Sequence, residues 1–230
     1  MEETTDRAEW LEVLRDRYLS YVFFARIYRT EVDATLLQGM VESVQQVEDS
    51  LAEEAADDGR AILARFIRAL EGTDQQEVLT QLACDYASLF LNAGPQPVFP
   101  YESVYTSPEK LLMQQAHEDI VRLYRQEGLV RDRAMPEPED HIAFELEFMG
   151  HLCHKSLEAL EAGDRETCLA YLRKQRDLLV QHLLVWVPTF TEDVERASES
   201  ALYSGVARAT RDLLSHELET IDALVAAISP

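Results

Sequence analysis

The feature that most constrains the fold is a series of apolar stripes that repeat every three or four residues. The first stripe covers residues 8–28, and a long final one begins near residue 198. Nowhere do apolar and polar residues alternate for long enough to predict a strand. The 8 glycines and 8 prolines are too few for a strand-rich protein with many turns. The sequence therefore predicts an all-α fold, one domain over residues 1–230, built as a bundle of about seven to ten helices.

Capping residues and helix breakers divide these stripes into separate helices. Asp33 and Asp74 are predicted N-caps, because a short carboxylate accepts hydrogen bonds from the free N–H groups at a helix start. Gly72 and Gly163 are predicted helix ends, and Pro188 is predicted to close the helix before it. Between the first and last helices, the remaining ones are predicted near residues 34–44, 62–70, 74–92, 107–128, 137–163 and 164–187.

The charge of the chain limits its partners. Acidic residues outnumber basic ones by 43 to 21, giving a net charge of -22, which repels nucleic acid and anionic membrane surfaces. Residues 42–58 hold seven acids and no Lys or Arg, and are predicted to form a solvated, mobile loop. The N-terminus is acidic where a signal peptide would be basic, and no apolar run is long enough to span a membrane. A cytoplasmic protein without stable membrane insertion is expected, either a monomer or a homodimer.

Residues 136–141, Pro-Glu-Pro-Glu-Asp-His, run directly into an apolar helical pattern. Pro138 suits a first helical turn, where its missing N–H would have had no partner. The helix is therefore predicted to begin near Glu137 or Pro138. Asp140 would then lie at the positive end of the helix dipole, with His141 in the same turn. This stretch is expected to present acids and an imidazole at a rigid corner.

Two upstream segments carry aromatic residues in distinct patterns. Tyr86, Leu89 and Phe90 end the apolar stripe of the predicted fourth helix. Leu89 is predicted to be core, whereas Tyr86, whose hydroxyl needs a partner, is predicted to reach the wall of a groove. Residues 92–107 contain three prolines, too many for a helix, among several aromatics. That segment is predicted to be a stiff loop that either packs down or presents a partly exposed binding ledge.

Three motifs in these segments resemble those of a known family. Glu137-Pro138-x-Asp140-His141 resembles the E-P-x-D-H motif of the TorD/DmsD-like redox enzyme maturation chaperones. Tyr86-x-x-Leu89-Phe90 is similar to the aromatic-x-x-Leu-Phe motif of that family. The loop that follows this motif in the family is resembled by Pro100-Tyr101-Glu102-Ser103-Val104-Tyr105. Because their order and spacing also agree, over about sixty residues, the three together are more specific than any one alone.

The resemblance implies an all-helical chaperone without enzymatic activity and without a cofactor. Its partners would be the twin-arginine leader peptide and the apo-form of a molybdopterin-containing oxidoreductase subunit before export. Carboxylates suit the two guanidinium groups of such a leader, and an aromatic ledge suits its apolar segment. The resemblance places partner binding at Tyr86, Leu89, Phe90, Pro100, Tyr101, Glu102, Ser103, Val104, Tyr105, Glu137, Pro138, Asp140 and His141. Without it, Asp140 is explained as a helix cap and His141 as a surface group.

Glu147, His151 and His154 support an alternative, a helical metal-binding enzyme. They lie at i, i+4 and i+7 on one helical face, a spacing that can hold zinc or iron. Against this, the H-E-x-x-H signature is absent, and Glu–His pairs at this spacing are ordinary on helix surfaces. Neither a nucleophile elbow nor a glycine-rich phosphate motif is present. No catalytic residue and no metal ligand are therefore predicted.

We expect the purified protein to hold no stoichiometric transition metal, because the signatures of metalloenzymes are missing from the sequence. Elemental analysis of the protein as isolated measures this directly. A content of about one zinc or iron per chain, lost in a His151→Ala or His154→Ala variant, would favour the metalloenzyme instead.

Overall fold

The structure is a computed structural model that describes residues 2–46, 58–130, 132 and 135–229. In these residues it contains ten α-helices and one π-helical turn, and its one strand-like feature is an isolated antiparallel bridge. The all-α prediction is confirmed. Most of the acidic loop predicted at residues 42–58 lies outside the described residues. No helix within the described ranges combines the length and the apolar content needed to cross a membrane.

The ten α-helices span most of the described residues. They are α1 (Glu2–Arg29), α2 (Ala34–Gln46), α3 (Gly59–Ala69), α4 (Gln75–Phe90), α5 (Glu102–Thr106), α6 (Gln115–Gln126), α7 (Ile142–Glu161), α8 (Arg165–Leu178), α9 (Leu184–Ala197) and α10 (Ala201–Ile228). The π-helical turn, Leu179–Leu183, lies between α8 and α9.

The chain divides into two compact units, each assembled from separate stretches of sequence. Unit 1 comprises Met1–Arg26, Tyr101–Val187 and Leu214–Pro230, and unit 2 comprises Ile27–Pro100 and Pro188–Leu213. The expectation of one domain over residues 1–230 stays a prediction.

The predicted helix caps are confirmed. Asp33 accepts the backbone N–H of Leu36 at 2.8 Å, and Asp74 accepts two N–H groups at the start of α4, at 2.8 and 3.2 Å. Gly72 and Gly163 follow α3 and α7 with φ angles of +75° and +79°. These left-handed conformations are easily reached only by glycine, which is why the sequence marks these helix ends clearly.

The helix predicted to begin at Ser107 begins only at Gln115. Lys110 and Met113 have φ angles of +52° and +56°, which a right-handed helix does not permit. Ser107 does accept the N–H of Leu111, at 3.3 Å, but it closes a turn and not a helix. The neighbouring prediction of a loop over residues 92–107 is also corrected, because its last part forms helix α5. All three prolines of the segment lie before α5 and so do not interrupt it.

The helix predicted to close at Pro188 instead continues through it to Ala197. Just upstream, in the π-helical turn, the N–H of Leu184 reaches back to the carbonyl of Leu179. A proline removes one helical hydrogen bond and crowds the carbonyl four residues before it. A widened turn relaxes the backbone at about that place, so the helix can pass the proline without ending.

Asp85, on α4, holds the residues that lead into α10 inside unit 2, while Ser200 caps the helix itself by accepting the N–H of Tyr203 at 3.3 Å. Its buried carboxylate accepts the backbone N–H groups of Glu199 and Ser200, at 3.2 and 3.0 Å, and the hydroxyl of Ser198 at 3.0 Å. These N–H groups lie just before the helix, so an acceptor from elsewhere in the chain stabilises this connection. Sequence reasoning missed this role because the partners are more than a hundred residues apart.

We expect Asp85→Ala to lower the free energy of unfolding by about 2 to 4 kcal/mol, because it removes the acceptor of two part-buried N–H groups and of the Ser198 hydroxyl. The matched control is Asp74→Ala, which removes an exposed cap worth about 1 kcal/mol. Urea denaturation of both variants measures the difference. An equal or smaller loss for Asp85→Ala would show that Asp85 does not stabilise the connection to α10.

Candidate functional site

Two of the three sequence motifs meet in unit 1. Residues 101–105 and residues 137–141 lie side by side, and the antiparallel bridge pairs Tyr101 with His141. We refer to these two segments as the motif junction. Because they are more than thirty residues apart in sequence, only the fold brings them together.

Asp140 lies at the centre of the motif junction. Its backbone carbonyl accepts the N–H of Glu102 at 2.9 Å, and its carboxylate accepts the N–H of Ser103 at 3.0 Å. The residue is 0% exposed, and its second carboxylate oxygen, Oδ1, has no hydrogen-bond partner. Asp140 therefore links the two segments from inside, where the sequence predicts a carboxylate facing a partner.

Helix α7 begins at Ile142, four or five residues later than the sequence predicts. His141 is its N-cap: the ring Nδ1 accepts the N–H of Ala143 at 3.1 Å. The backbone N–H of His141 donates to the carbonyl of Pro138 at 3.1 Å. Since the backbone at Asp140 and His141 pairs with the other segment, residues 137–141 do not continue the helix. The predicted corner of acids inside a first helical turn is therefore wrong.

The solvent side of the motif junction carries two partly exposed carboxylates and an aromatic ring. The hydroxyl of Tyr101 donates to the carboxylate of Glu137. The Tyr101 ring meets the ring of His141 edge to face, with 5.1 Å between centroids. Glu139 Oε2 lies 2.9 Å from Nε2 of His117, which stands in the first turn of α6. Acidic and aromatic groups are thus presented together on this face.

The buried side of the motif junction contains a cluster of three carboxyl groups. Glu102, Asp140 and Glu145 are 3%, 0% and 0% exposed. Glu102 lies 2.9 Å from Nδ1 of His182, and Glu145 accepts the indole N–H of Trp186 at 3.1 Å. Burial, together with the charges of Glu102 and Asp140, raises the pKa of Glu145 well above its ordinary value. Glu145 therefore holds a proton more tightly than an exposed glutamate does.

Sequence reasoning missed Glu145, although a signal was present. It is an acid between Phe144 and Leu146, in a run of apolar residues that the structure buries almost throughout. An isolated acid on the buried face of a helix requires a partner or a proton. Its partners could not be foreseen, since Trp186 comes from α9 and Glu102 from α5.

The other candidate residues of unit 1 differ in accessibility. Val104 and Tyr105 are half-buried, and the Tyr105 ring lies 5.5 Å from that of Trp186. Ser103 is fully buried, and its hydroxyl accepts the N–H of Gln114 at 3.0 Å. Pro138 is buried as well. The residues with exposed surface are therefore Tyr101, Val104, Tyr105 and Glu137.

The candidate residues Tyr86, Leu89, Phe90 and Pro100 belong to unit 2. Leu89 is 1% exposed, which confirms its predicted place in the core. Tyr86 is 5% exposed, its hydroxyl donates to the carbonyl of Tyr28 at 3.1 Å, and its ring lies 5.2 Å from that of Phe90. Tyr86 is thus part of the core of unit 2, which corrects the prediction that it reaches a groove wall.

The residues of the alternative metal site lie on α7 with separate partners. Glu147 is exposed. His151 stacks on the ring of Phe148, and burial lowers its pKa. The His154 ring lies 5.0 Å from that of Tyr18. In the part of the chain that the structure describes, no three His, Cys, Asp or Glu side chains are grouped so that they could hold a metal ion.

Sequence comparison relates the whole arrangement to known proteins. Residues 41–192 match the profile of a family described as nitrate reductase delta subunit. The chain is 30% identical over 216 residues to the chaperone protein TorD of Vibrio cholerae serotype O1, which covers 94% of this chain and 90% of that one. The chaperone protein TorD of Shewanella sp. strain MR-4 is 32% identical over 162 residues, covering 69% of this chain and 77% of the relative.

The fold has a counterpart among solved structures. A crystal structure from Archaeoglobus fulgidus, provisionally described as a redox enzyme maturation protein, superposes with a TM-score of 0.51. The match covers 86% of this chain and 93% of that one, at 22% sequence identity. At this identity the similarity concerns the fold.

We expect Glu145→Gln to raise the free energy of unfolding. The gain should grow as the pH rises above about 4.5, which is the ordinary pKa of a glutamate side chain. In the wild type the raised pKa means that the folded state binds the proton more tightly than the unfolded chain. The stability that this proton provides is present at low pH and is lost as the pH rises through the folded-state pKa. A glutamine is neutral at every pH and keeps an acceptor for the indole of Trp186.

Urea denaturation of wild type and variant across the acidic to mildly alkaline range measures this difference. The matched control is Glu147→Gln on the same helix, whose carboxylate is exposed, so its replacement should change the stability little. A constant difference between wild type and Glu145→Gln at every pH would show that Glu145 carries no such proton.

Proposed function

This chain belongs to the TorD family of molybdoenzyme maturation chaperones, and we propose that it binds the twin-arginine leader peptide, and the apo-form, of a molybdopterin-containing oxidoreductase subunit. Binding takes place in the cytoplasm before export. The observation that carries the proposal is the solvent side of the motif junction, where Glu137 accepts the hydroxyl of Tyr101 and Glu139, two residues further along the chain, contacts His117. No enzymatic activity is part of this function.

The two carboxylates suit a pair of arginines. Glu137 and Glu139 are two residues apart, and both are partly exposed. A carboxylate has about four acceptor positions. Glu137 already accepts the hydroxyl of Tyr101, and Glu139 already contacts the imidazole of His117, so an arginine would join or replace existing partners of these carboxylates. The planar fork of arginine can bind a carboxylate through two parallel hydrogen bonds, which lysine cannot do.

Asp140 serves as a positioning residue in this proposal. Its carboxylate is fully buried and bonded to the N–H of Ser103, so it does not meet a guanidinium in this conformation. By holding residues 101–105 against residues 137–141, it fixes the relative places of Tyr101 and Glu137. Mutation of Asp140 therefore acts on binding through the geometry of the motif junction.

The net charge of the chain supports the same partner. A charge of -22 attracts a leader that carries two arginines and raises the rate at which the two meet. Long-range attraction is screened by salt and does not distinguish arginine from lysine. Selectivity must then come from the short-range geometry at Glu137 and Glu139.

We expect Glu137→Gln combined with Glu139→Gln to weaken binding of a synthetic twin-arginine leader by about ten- to a hundredfold. Each charge-assisted hydrogen bond that is lost contributes about 1.5 to 3 kcal/mol when partly desolvated. Titration calorimetry with the leader, and with a second leader whose arginine pair is replaced by lysines, gives the affinities. The wild type should prefer the arginine leader, and the double variant should lose that preference.

The matched control is Glu147→Gln combined with Glu219→Gln, which removes the same charge from exposed positions outside the motif junction. It should change the salt dependence of binding and keep the preference for arginine. If wild type binds both leaders equally, or if the two double variants behave alike, the motif junction does not recognise the arginine pair.

A further inference from the structure

We propose that the apolar segment of the leader docks on an exposed turn formed by residues 111–113, Leu-Leu-Met, which we call the apolar turn. The inference rests on the proposed function and adds to it a second contact surface, outside the three motifs that resemble the family. It follows from four properties of the turn: its exposure, its fixed backbone, its connection to the motif junction and its charge environment.

The exposure of the apolar turn is unusual in this chain. Leu111, Leu112 and Met113 are 57%, 43% and 58% exposed. Among the described residues, no other large apolar side chains with comparable exposure follow one another directly in the sequence. Single exposed apolar residues are normal on a protein surface, whereas a contiguous group marks a contact site.

The backbone holds these side chains outward. Lys110 and Met113 adopt left-handed conformations, with φ of +52° and +56°, that residues other than glycine rarely take. The turn just before the apolar turn, over residues 107–110, is closed by the N–H of Lys110 on the carbonyl of Ser107, at 3.2 Å. The side-chain amide of Gln114 donates to the carbonyl of Leu112 at 2.8 Å. The exposed group is therefore part of a defined turn and not a frayed helix end.

Two contacts connect the apolar turn with the motif junction. The N–H of Gln114, the next residue, donates to the hydroxyl of Ser103, whose own N–H is bonded to Asp140. His117, three residues further on, contacts Glu139 at 2.9 Å. Three residues of helix rise only about 4.5 Å. A short peptide segment that places an arginine at Glu139 can therefore continue onto the apolar turn.

Charge identifies the occupant. Two copies of this chain, each with a net charge of -22, repel one another, and anionic lipid is repelled as well. Three side chains also provide much less surface than the roughly 800 Å² per partner of a standard protein interface. A leader combines an arginine pair with a following apolar segment, so one ligand satisfies the carboxylates and the apolar turn together.

The test uses two synthetic leaders with the same arginine pair, one with a leucine-rich segment after it and one with serines in those positions. Wild type should bind the leucine leader more tightly. The variant Leu111→Ser, Leu112→Ser, Met113→Ser should weaken binding of the leucine leader about tenfold or more and leave the serine leader unchanged, because only the apolar contact is lost. Both leaders should then bind this variant with similar affinity.

The matched control replaces three exposed apolar residues of unit 1 that stand singly, Leu19→Ser, Val130→Ser and Val185→Ser, and should bind as wild type does. Thermal unfolding checks that each variant is folded. If the triple variant at the turn is not folded, the single variant Leu112→Ser replaces it. This variant should bind the leucine leader several-fold more weakly and the serine leader as wild type does.

Three results would overturn the proposal. In the first, wild type and the turn variant bind the leucine leader equally and still prefer arginine. The proposed function then holds, but the apolar turn is not part of the binding site. In the second, wild type binds neither leader, which contradicts both the proposed function and the role of the apolar turn. A concentration-dependent dimer of the wild type that the turn variant lacks, with unchanged leader binding, assigns the turn to contact between copies.

Discussion

The motif junction depends on one buried interaction, the pair of hydrogen bonds by which Asp140 holds Glu102 and Ser103. Neither segment that it joins is a long helix: one contains the five-residue helix α5, and the other is the non-helical stretch before α7. Short elements of this kind are unstable alone, because their few hydrogen bonds do not offset the entropy lost on ordering them. Asp140 supplies both a backbone and a side-chain acceptor, so the two segments stabilise one another.

This arrangement has an energetic cost, which is lower when Glu145 is protonated. Three carboxyl groups lie together out of water, and two of their oxygens, Asp140 Oδ1 and Glu145 Oε1, have no hydrogen-bond partner. Three buried negative charges would repel one another strongly. The raised pKa of Glu145 reduces this repulsion, while the imidazole of His182 and the indole of Trp186 satisfy part of the remainder. A purely apolar junction would avoid the cost of removing these carboxyl groups from water, but it would fix the register of the two segments less strictly.

Local chemistry decided which parts of the structure were predictable. Asp33, Asp74, Gly72 and Gly163 end or begin helices for reasons contained in a few neighbouring residues, and these predictions are confirmed. The start of α6, the course of α9 through its proline and the buried place of Asp140 depend on contacts distant in sequence or on backbone conformations unusual for their residue type. Sequence patterns also found both segments of the motif junction, but they could not tell a partly exposed residue, such as Tyr101, from the buried Asp140 that holds the two segments together.

The π-helical turn before α9 sets the directions in which His182 and Trp186 reach the buried carboxyl groups. One additional residue in a helix turns everything after it by about 100° relative to everything before it. His182, inside that turn, contacts Glu102, and Trp186, just beyond it, contacts Glu145. Loss of a single residue here would restore an unbroken α-helix and rotate one of these side chains away from its carboxylate. The length of this segment is therefore under a stricter constraint than its composition, and insertions or deletions should be tolerated less well there than substitutions.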